Sequence, residues 1–186
     1  MNNTHLIQLG QYEMPKAVES RTNDYVGYGD DNNYYEYLIN TYIESPTHHS
    51  IVNGVVNMIY GKGLDATNSS RMPDEYAQMK KIFRPDELRR VVQDLKLLGE
   101  GAFQIFYKGN KVVEAKHFPR QTLRPEKANE KGDVEAYYYS HDWSKHKKRD
   151  KLTRMPVFVN DGKPKTQNEI LIVRRYVTGY HYVCLL

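Results

Sequence analysis

Cysteine is almost missing from this chain: Cys184 is the single one among 186 residues. One thiol closes no intrachain disulfide and supplies no cysteine-based zinc site. The default compartment for such a chain is reducing and intracellular. No apolar run approaches the roughly 18 residues that suggest a membrane span. The opening MNNTHLIQLGQYEMPK has no basic segment followed by an apolar stretch, so it is not a recognisable signal peptide, and no membrane partner is expected. A strong charge of either sign is missing too. Twenty-seven Lys and Arg stand against 23 Asp and Glu, a net +4, which permits contact with nucleic acid without demanding it. Tryptophan occurs once and phenylalanine five times.

Tyrosine fills the gap, with 16 copies. Its ring buries apolar area while its hydroxyl stays wet, which suits half-buried and interface positions; the plainer reading is that Tyr replaces Phe in a small core. Hydrophobic residues are 39% and charged residues 27%, polar for one domain of this length. Such a chain either covers its surface with charge or leaves part of its apolar edge for a partner.

Residues 1–31 read as a polar arm, ending in the turn-rich DYVGYGDDNN at 24–33. From 32 to 186 the pattern is that of one α+β domain. A helix starts at Asn32 or Asn33, with Tyr34, Tyr35, Leu38, Ile39, Tyr42 and Ile43 on a 3.6-residue stripe. A second runs from an N-cap at Ser45 and Pro46 to Gly61, with Ile51, Val52, Val55, Val56 and Ile59 forming one apolar face, and Gly54 allowing close approach of a neighbour. The two are joined almost directly, as a bent hairpin. A third helix is predicted over 73–82. A fourth starts at Pro85, with Asp86 and Glu87 favouring its N-terminal dipole, and stops at Gly99. The period then changes. Strands over 101–108 and 111–118 flank Gly109-Asn110, a hairpin signal closed by Pro119. Further strands are predicted in 121–133, over 134–140 and over 169–177, with a shorter one near Val157-Phe158-Val159, and a charged loop covers 141–154. The architecture expected is N-terminal helices packed on a mostly antiparallel sheet. The terminal YVTGYHYVCLL runs from a strand into an apolar end, the pattern of a fold that stops before it is finished.

Catalytic and metal patterns fail on spacing. GKGL at 61–64 lacks the earlier glycine and the Ser or Thr of a phosphate loop. His48 and His49 are neighbours, so on a helix they diverge by about 100° and chelate poorly. His141, Asp142 and His146 sit among lysines that would repel a cation, and Asp30-Asp31 fits the start of a helix better than a cation site. No Ser/His/Asp spacing points to a triad. No enzyme, cofactor or metal is therefore expected, although a small enzyme whose site is assembled only in space stays among the alternatives. One cluster stands out: Lys145, Lys147, Lys148, Arg149, Lys151 and Arg154, with Trp143 beside them, have the composition of a phosphate-contacting loop. The plainer reading is a solvated loop face.

One stretch is more specific than its parts. YVGYGDDNNYYEYLINTYIESPTHHSIVNGVVNMIYGKGLD at 25–65 holds a YG-x-x-N-x-Y turn (Tyr28, Gly29, Asn32, Tyr34), then Tyr37-Leu38, an SPTH helix start at Ser45 to His48, Ile51 with Asn53-Gly54, and Gly61 to Leu64. In order and spacing it resembles the N-terminal region of tailed-phage portal proteins, particularly those of phages infecting Bacteroidetes-type hosts. A second patch, TLRPEKANEKGDVEAYYYSHDWSK at 122–145, looks similar, and the resemblance covers most of 25–177.

What the resemblance implies is a virion structural subunit, made in the host cytoplasm. Portals are homo-oligomeric rings at a capsid vertex, in contact with the major capsid protein and the packaging motor, through which double-stranded DNA is packaged and ejected. The matching part is the wing, an α+β domain. Tyr34, Tyr35, Tyr37 and Tyr42 become candidates for the subunit interface. In the family the chain continues into stem helices and clip; here the expectation is a truncation before both, which puts ring formation and any DNA contact in doubt. The alternative is a free-standing nucleic-acid-binding α+β module working through the basic loop 145–154 and the strand-borne Tyr137 to Tyr139.

Overall fold

The structure, a computed structural model, describes residues 16–19, 22–29, 31–145, 151–160 and 169–174. Its elements are β1 (Ala17–Glu19), β2 (Val26–Tyr28), α1 (Tyr34–Glu44), α2 (Pro46–Tyr60), α3 (Pro73–Ile82), α4 (Pro85–Leu98), β3 (Glu100–Lys108), β4 (Lys111–His117), a 3-10 turn at Arg120–Thr122, β5 (Leu123–Pro125), β6 (Ala136–Tyr139), β7 (Thr153–Pro156) and β8 (Glu169–Arg174). This is an α+β fold. Every strand pairing within its sheets is antiparallel, in orders β1-β2, β4-β3-β8 and β5-β6-β7.

The helix ends follow local chemistry. Ser45 is extended and its Oγ accepts from the backbone N–H of His48 at 3.3 Å, while Pro46 takes the first helical position, where no N–H is needed. Gly99 stops α4 in the left-handed conformation, at φ 85°. The β3–β4 hairpin turns at Gly109, φ 63°, as its turn dipeptide predicts.

The helices pack on antiparallel strands, as expected: α3 and α4 lie on β3 and β4, Tyr35 of α1 packs on Tyr28 of β2, and α2 lies on α4. Val91 on α4 packs with Phe103, Ile105 and Ala115 of β3 and β4. Val92, one residue and about 100° further round the helix, packs with Tyr42, Val52 and Val56 of α1 and α2. Burying such side chains contributes roughly 1.5–3 kcal/mol each, so α4 is held from two sides. Its approach to β3 is close enough to require glycine: a Cβ at Gly101 would lie 2.6 Å from Val91 Cγ1. A second core, Ala102, Leu123, Tyr137, Met155 and Ile170, fills the space between the two three-stranded sheets.

Two segments depart from the sequence expectation. Within the stretch read as an arm, β1 and β2 form, and Val26, Gly27 and Tyr28 are buried, so the domain begins well before residue 32. The charged loop 141–154 contains the start of β7, whose pairing with β6 runs Tyr137 to Met155 and Tyr138 to Arg154; the short strand expected at 157–159 reduces to a single parallel bridge from Val157 to Ile170. Only Met155 of β7 is buried, so the alternation is too short to be seen in sequence. The strand expected over 169–177 is described as far as Arg174; the rest lies outside the described residues.

Candidate subunit interface

The apolar residues of α2 divide between two faces. Val52 and Val56 point at α4, as expected for a core stripe. Ile51, Val55, Met58 and Ile59 lie within about 100° of one another around the helix, on the flank beside that stripe. Ile51 is 60% exposed, Met58 75% and Ile59 52%; on α1, Ile43 is 66% and Tyr37 53% exposed. Five of the nine exposed large hydrophobic residues among those described thus fall on this one helical hairpin. Scattered exposed apolar residues are ordinary; three grouped on one face of a helix, as Ile51, Met58 and Ile59 are, suit an interaction surface. The apolar face expected on α2 is thus only partly covered: Val52 and Val56 are core, whereas Ile51 and Ile59 are exposed. Beside the stripe sits Gly54, exposed, where an added Cβ would meet nothing within 4 Å.

Of the four tyrosines expected at an interface, the structure leaves Tyr37 exposed and Tyr34 half-buried, their rings stacked 6.3 Å apart. Tyr35 and Tyr42 are buried within the chain and present no surface to a neighbour. Tyr42 donates to Asn53 Oδ1 at 2.8 Å and accepts from Gln93 Nε2 at 3.1 Å, locking α1 to α2 and α4. Tyr35 faces a pair of arginines that the sequence gives no reason to place inside.

Arg120 is fully buried and Arg124 nearly so. Arg120 donates from Nε and Nη2 to Glu100 Oε2, at 2.9 and 2.6 Å, and from Nη1 to the Leu123 carbonyl at 2.7 Å. Its guanidinium lies 5.0 Å from the Tyr35 ring centre and 5.3 Å from that of Tyr137. Glu100 Oε1 accepts no hydrogen bond among the described residues but lies 3.4 Å from Arg174 Nε, an ion pair without hydrogen-bond alignment. Burial opposes the Arg120 charge, and Tyr35 and the Glu100 carboxylate outweigh it, so its pKa is raised. Arg124 is held otherwise, by oxygens and rings. It donates to Asn32 Oδ1 at 2.6 Å, to the Asn32 carbonyl at 2.8 Å and to the carbonyls of Gln121 and Leu123. Tyr35 and Trp143 stack over it at 5.0 Å each. Burial lowers its pKa to about 10, which leaves it charged at neutral pH. Asn32, at φ 61°, also accepts from the Tyr28 N–H at 3.1 Å. The YG-x-x-N-x-Y turn is therefore an anchor: it ties β2 and the start of α1 to β5 through one arginine.

The basic loop is less available than its composition suggests. Lys147, Lys148 and Arg149 lie outside the described residues. Lys145 Nζ pairs with Asp142 at 2.9 Å. Arg154 makes a two-pronged contact with Glu126, at 2.9 and 2.7 Å, which holds that carboxyl below its ordinary range. Lys151 is exposed. Trp143 is buried, donates to the Thr122 carbonyl at 2.9 Å and packs on Tyr25, and Tyr137 is fully buried. Neither ring is free to stack on a base.

A cleft of about 810 Å³ opens beside this region, lined by Asp31, Asn33, Glu36, Tyr37, His141 and Asp142 among others. Its lining carries three carboxylates and no Lys or Arg, a wall suited to a cation or amine more than to phosphate. Among the described residues no group of three His, Cys, Asp or Glu has metal-binding geometry, and no helix is long and apolar enough to cross a membrane. The chain matches no family model and no curated protein.

Proposed function

We propose that this chain is a structural subunit that assembles with copies of itself through the outer face of α1 and α2, and that its place is the wing of a portal-like ring at a phage capsid vertex. The observation that carries the self-assembly is the uncovered aliphatic set on that hairpin, Ile43, Ile51, Met58 and Ile59 with Tyr37. Aliphatic side chains offer neither hydrogen bonds nor charge to a small polar ligand, so their useful partner is another apolar protein surface. The portal assignment rests on the motif order in 25–65, and it brings the major capsid protein, the packaging motor and double-stranded DNA as partners of the assembled ring. Two residues of that motif, Tyr28 and Asn32, belong to the anchor on Arg124, which gives this part of the shared pattern a structural role.

The nucleic-acid module gains less, because two of its described cations are already paired and its Trp is inside. Light scattering on the full chain tests the proposal. The expected mass is a multiple of the 21.8 kDa protomer, falling toward one protomer as the chain is diluted or when Ile51→Asp and Met58→Asp are introduced together. A single-protomer mass at every concentration would overturn it.

A further inference from the structure

Among the described α-helices, α3 alone buries no side chain. A helix this short draws most of its stability from packing an apolar face, and α3 has little of that. Ile82, its last residue, is half-buried against the β3–β4 core, and the Tyr76 hydroxyl donates to the Leu64 carbonyl at 3.3 Å. Between α3 and the edge strand β4, close packing gives way to a groove of about 450 Å³. Ala77, Ile82, Val112 and Val113 give it an aliphatic lining, and Val113 is exposed. Lys81 of α3 and Lys111 of β4 also line it, and neither has an ion-pair partner among the described residues. The groove joins two stretches, 76–84 and 107–113, that hold Lys80, Lys81, Arg84, Lys108 and Lys111 and no Asp or Glu. Glu114, the acid of β4, is paired with Lys116 at 3.5 Å, and the acids of α3 stand in its first turn, at the end away from Lys81.

We infer that this groove docks a segment of a different protein, one that carries aliphatic side chains between Asp or Glu residues. The aliphatic lining calls for apolar side chains, and two unpaired ammonium groups call for carboxylates beside them. A segment seated there covers the open side of α3 and supplies the packing that the helix lacks. Nucleic acid fits less well. No residue lining the groove is aromatic, so a base finds no ring to stack on, and none is an Arg that could fork onto a phosphate. The exposed side chains of α2 in another copy fit less well too, because Pro46–Tyr60 contains no Asp or Glu. The docking is therefore separate from the self-assembly proposed above, on other elements and through other residues.

The probe is a fluorescently labelled peptide, Glu-Asp-Leu-Leu-Glu-Ile-Leu-Asp, titrated with the full chain and followed by anisotropy. Saturable binding is expected, with hydrogen exchange slowed in 73–82 and 111–113 because α3 is packed only in the complex. Lys81→Glu with Lys111→Glu is expected to weaken binding by about tenfold or more, since reversal sets like charges together. Val113→Asp is expected to weaken it as well. All three side chains are exposed, so far-UV circular dichroism and the mass by light scattering are expected to match the parent. Absence of binding, binding that these variants leave unchanged, or protection confined to other segments would overturn the proposal. Duplex DNA or phosphatidylserine vesicles that bind more tightly than the peptide, and lose binding in the same variants, would overturn the protein partner in favour of a polyanion. A changed mass in the Lys81→Glu, Lys111→Glu chain would overturn the separation from self-assembly.

Discussion

Polarity is inverted between two regions of this molecule. Around Arg120 and Arg124, cations that belong on a surface are buried beneath Tyr35, Tyr137 and Trp143. On the α1–α2 hairpin, Ile43, Ile51 and Met58, which belong in a core, face outward. The first region is largely satisfied from within: Glu100, Asn32 and main-chain carbonyls accept from the two guanidinium groups, and Glu100 Oε1 and the Tyr28 hydroxyl alone in it lack a hydrogen bond among the described residues. The second is incomplete, because the chain supplies no partner for those side chains among the described residues. A closed network adds rigidity and offers nothing to a neighbour; an open apolar face adds nothing to the monomer and everything to an assembly.

The sharpest way to break this contrast is to unbalance the closed region. Glu100→Gln keeps the shape and removes the only carboxylate that Arg120 and Arg174 share. Leaving a buried cation unpaired costs about 3–5 kcal/mol, whereas Ile51→Ser on the open face stays within about 0.5 kcal/mol. Urea midpoints of the two variants measure the difference. A Glu100→Gln chain within 1 kcal/mol of the parent, on the same scale, would mean that the cluster is solvated and not closed.

Alkali tests the same region more gently. Burial pushes the Tyr28 hydroxyl up to about 12, with Arg120 opposing, and burial likewise raises Tyr35 and Tyr137. A folded chain that holds these protons above the ordinary value of 10 has their full contribution below pH 10 and loses it as pH rises through about 12. At about 1.4 kcal/mol per unit, Tyr28 alone accounts for roughly 2–3 kcal/mol. Arg124, lowered to about 10, acts in the opposite sense across the same window, but it is one group against three. Stability measured by urea is therefore expected to fall steeply between pH 10 and 12, with tyrosinate absorbance rising in step. Ionisation of all the tyrosines before any loss of stability would remove the case for a buried cluster.

These two regions also differ in how much of them could be read in advance. Ser45, Pro46, Gly61, Pro85 and Gly99 act through the backbone within a few residues, so the helices were legible to within a residue or two. β2 and β7 were not, because their stability comes from partners far along the chain: Val26 pairs with Glu19, but Tyr25 bridges to Glu126, and Arg154 lies opposite Tyr138. The arginine cluster was hidden for a related reason. Arg120 and Arg124 sit in a polar stretch, and their counterparts Asn32, Tyr35 and Glu100 stand 20 or more positions away. The split of α2 was half visible. Its apolar positions cover more of the helix than one packing face uses, and that excess, with Gly54 beside it, was the available signal for the outer stripe.

Two glycines carry the comparison down to its smallest effect. Gly101 belongs to the closed part of the fold: a Cβ there meets Val91 Cγ1 at 2.6 Å and the Val91 carbonyl oxygen at 2.7 Å, so Gly101→Ala forces α4 off β3, at a cost of about 1–3 kcal/mol. Gly54 belongs to the open part, and its Cβ meets nothing. Gly54→Ala is therefore expected to stabilise the isolated protomer by about 0.5–1 kcal/mol, from helix propensity alone. If a neighbouring backbone crosses α2 at that point, the same methyl group stands in its way, and self-association weakens while the protomer grows more stable. Thermal unfolding of dilute protein reads the first effect and light scattering of concentrated protein reads the second. Opposite signs from one methyl group distinguish a contact surface from a merely imperfect helix, which would gain stability and leave assembly unchanged.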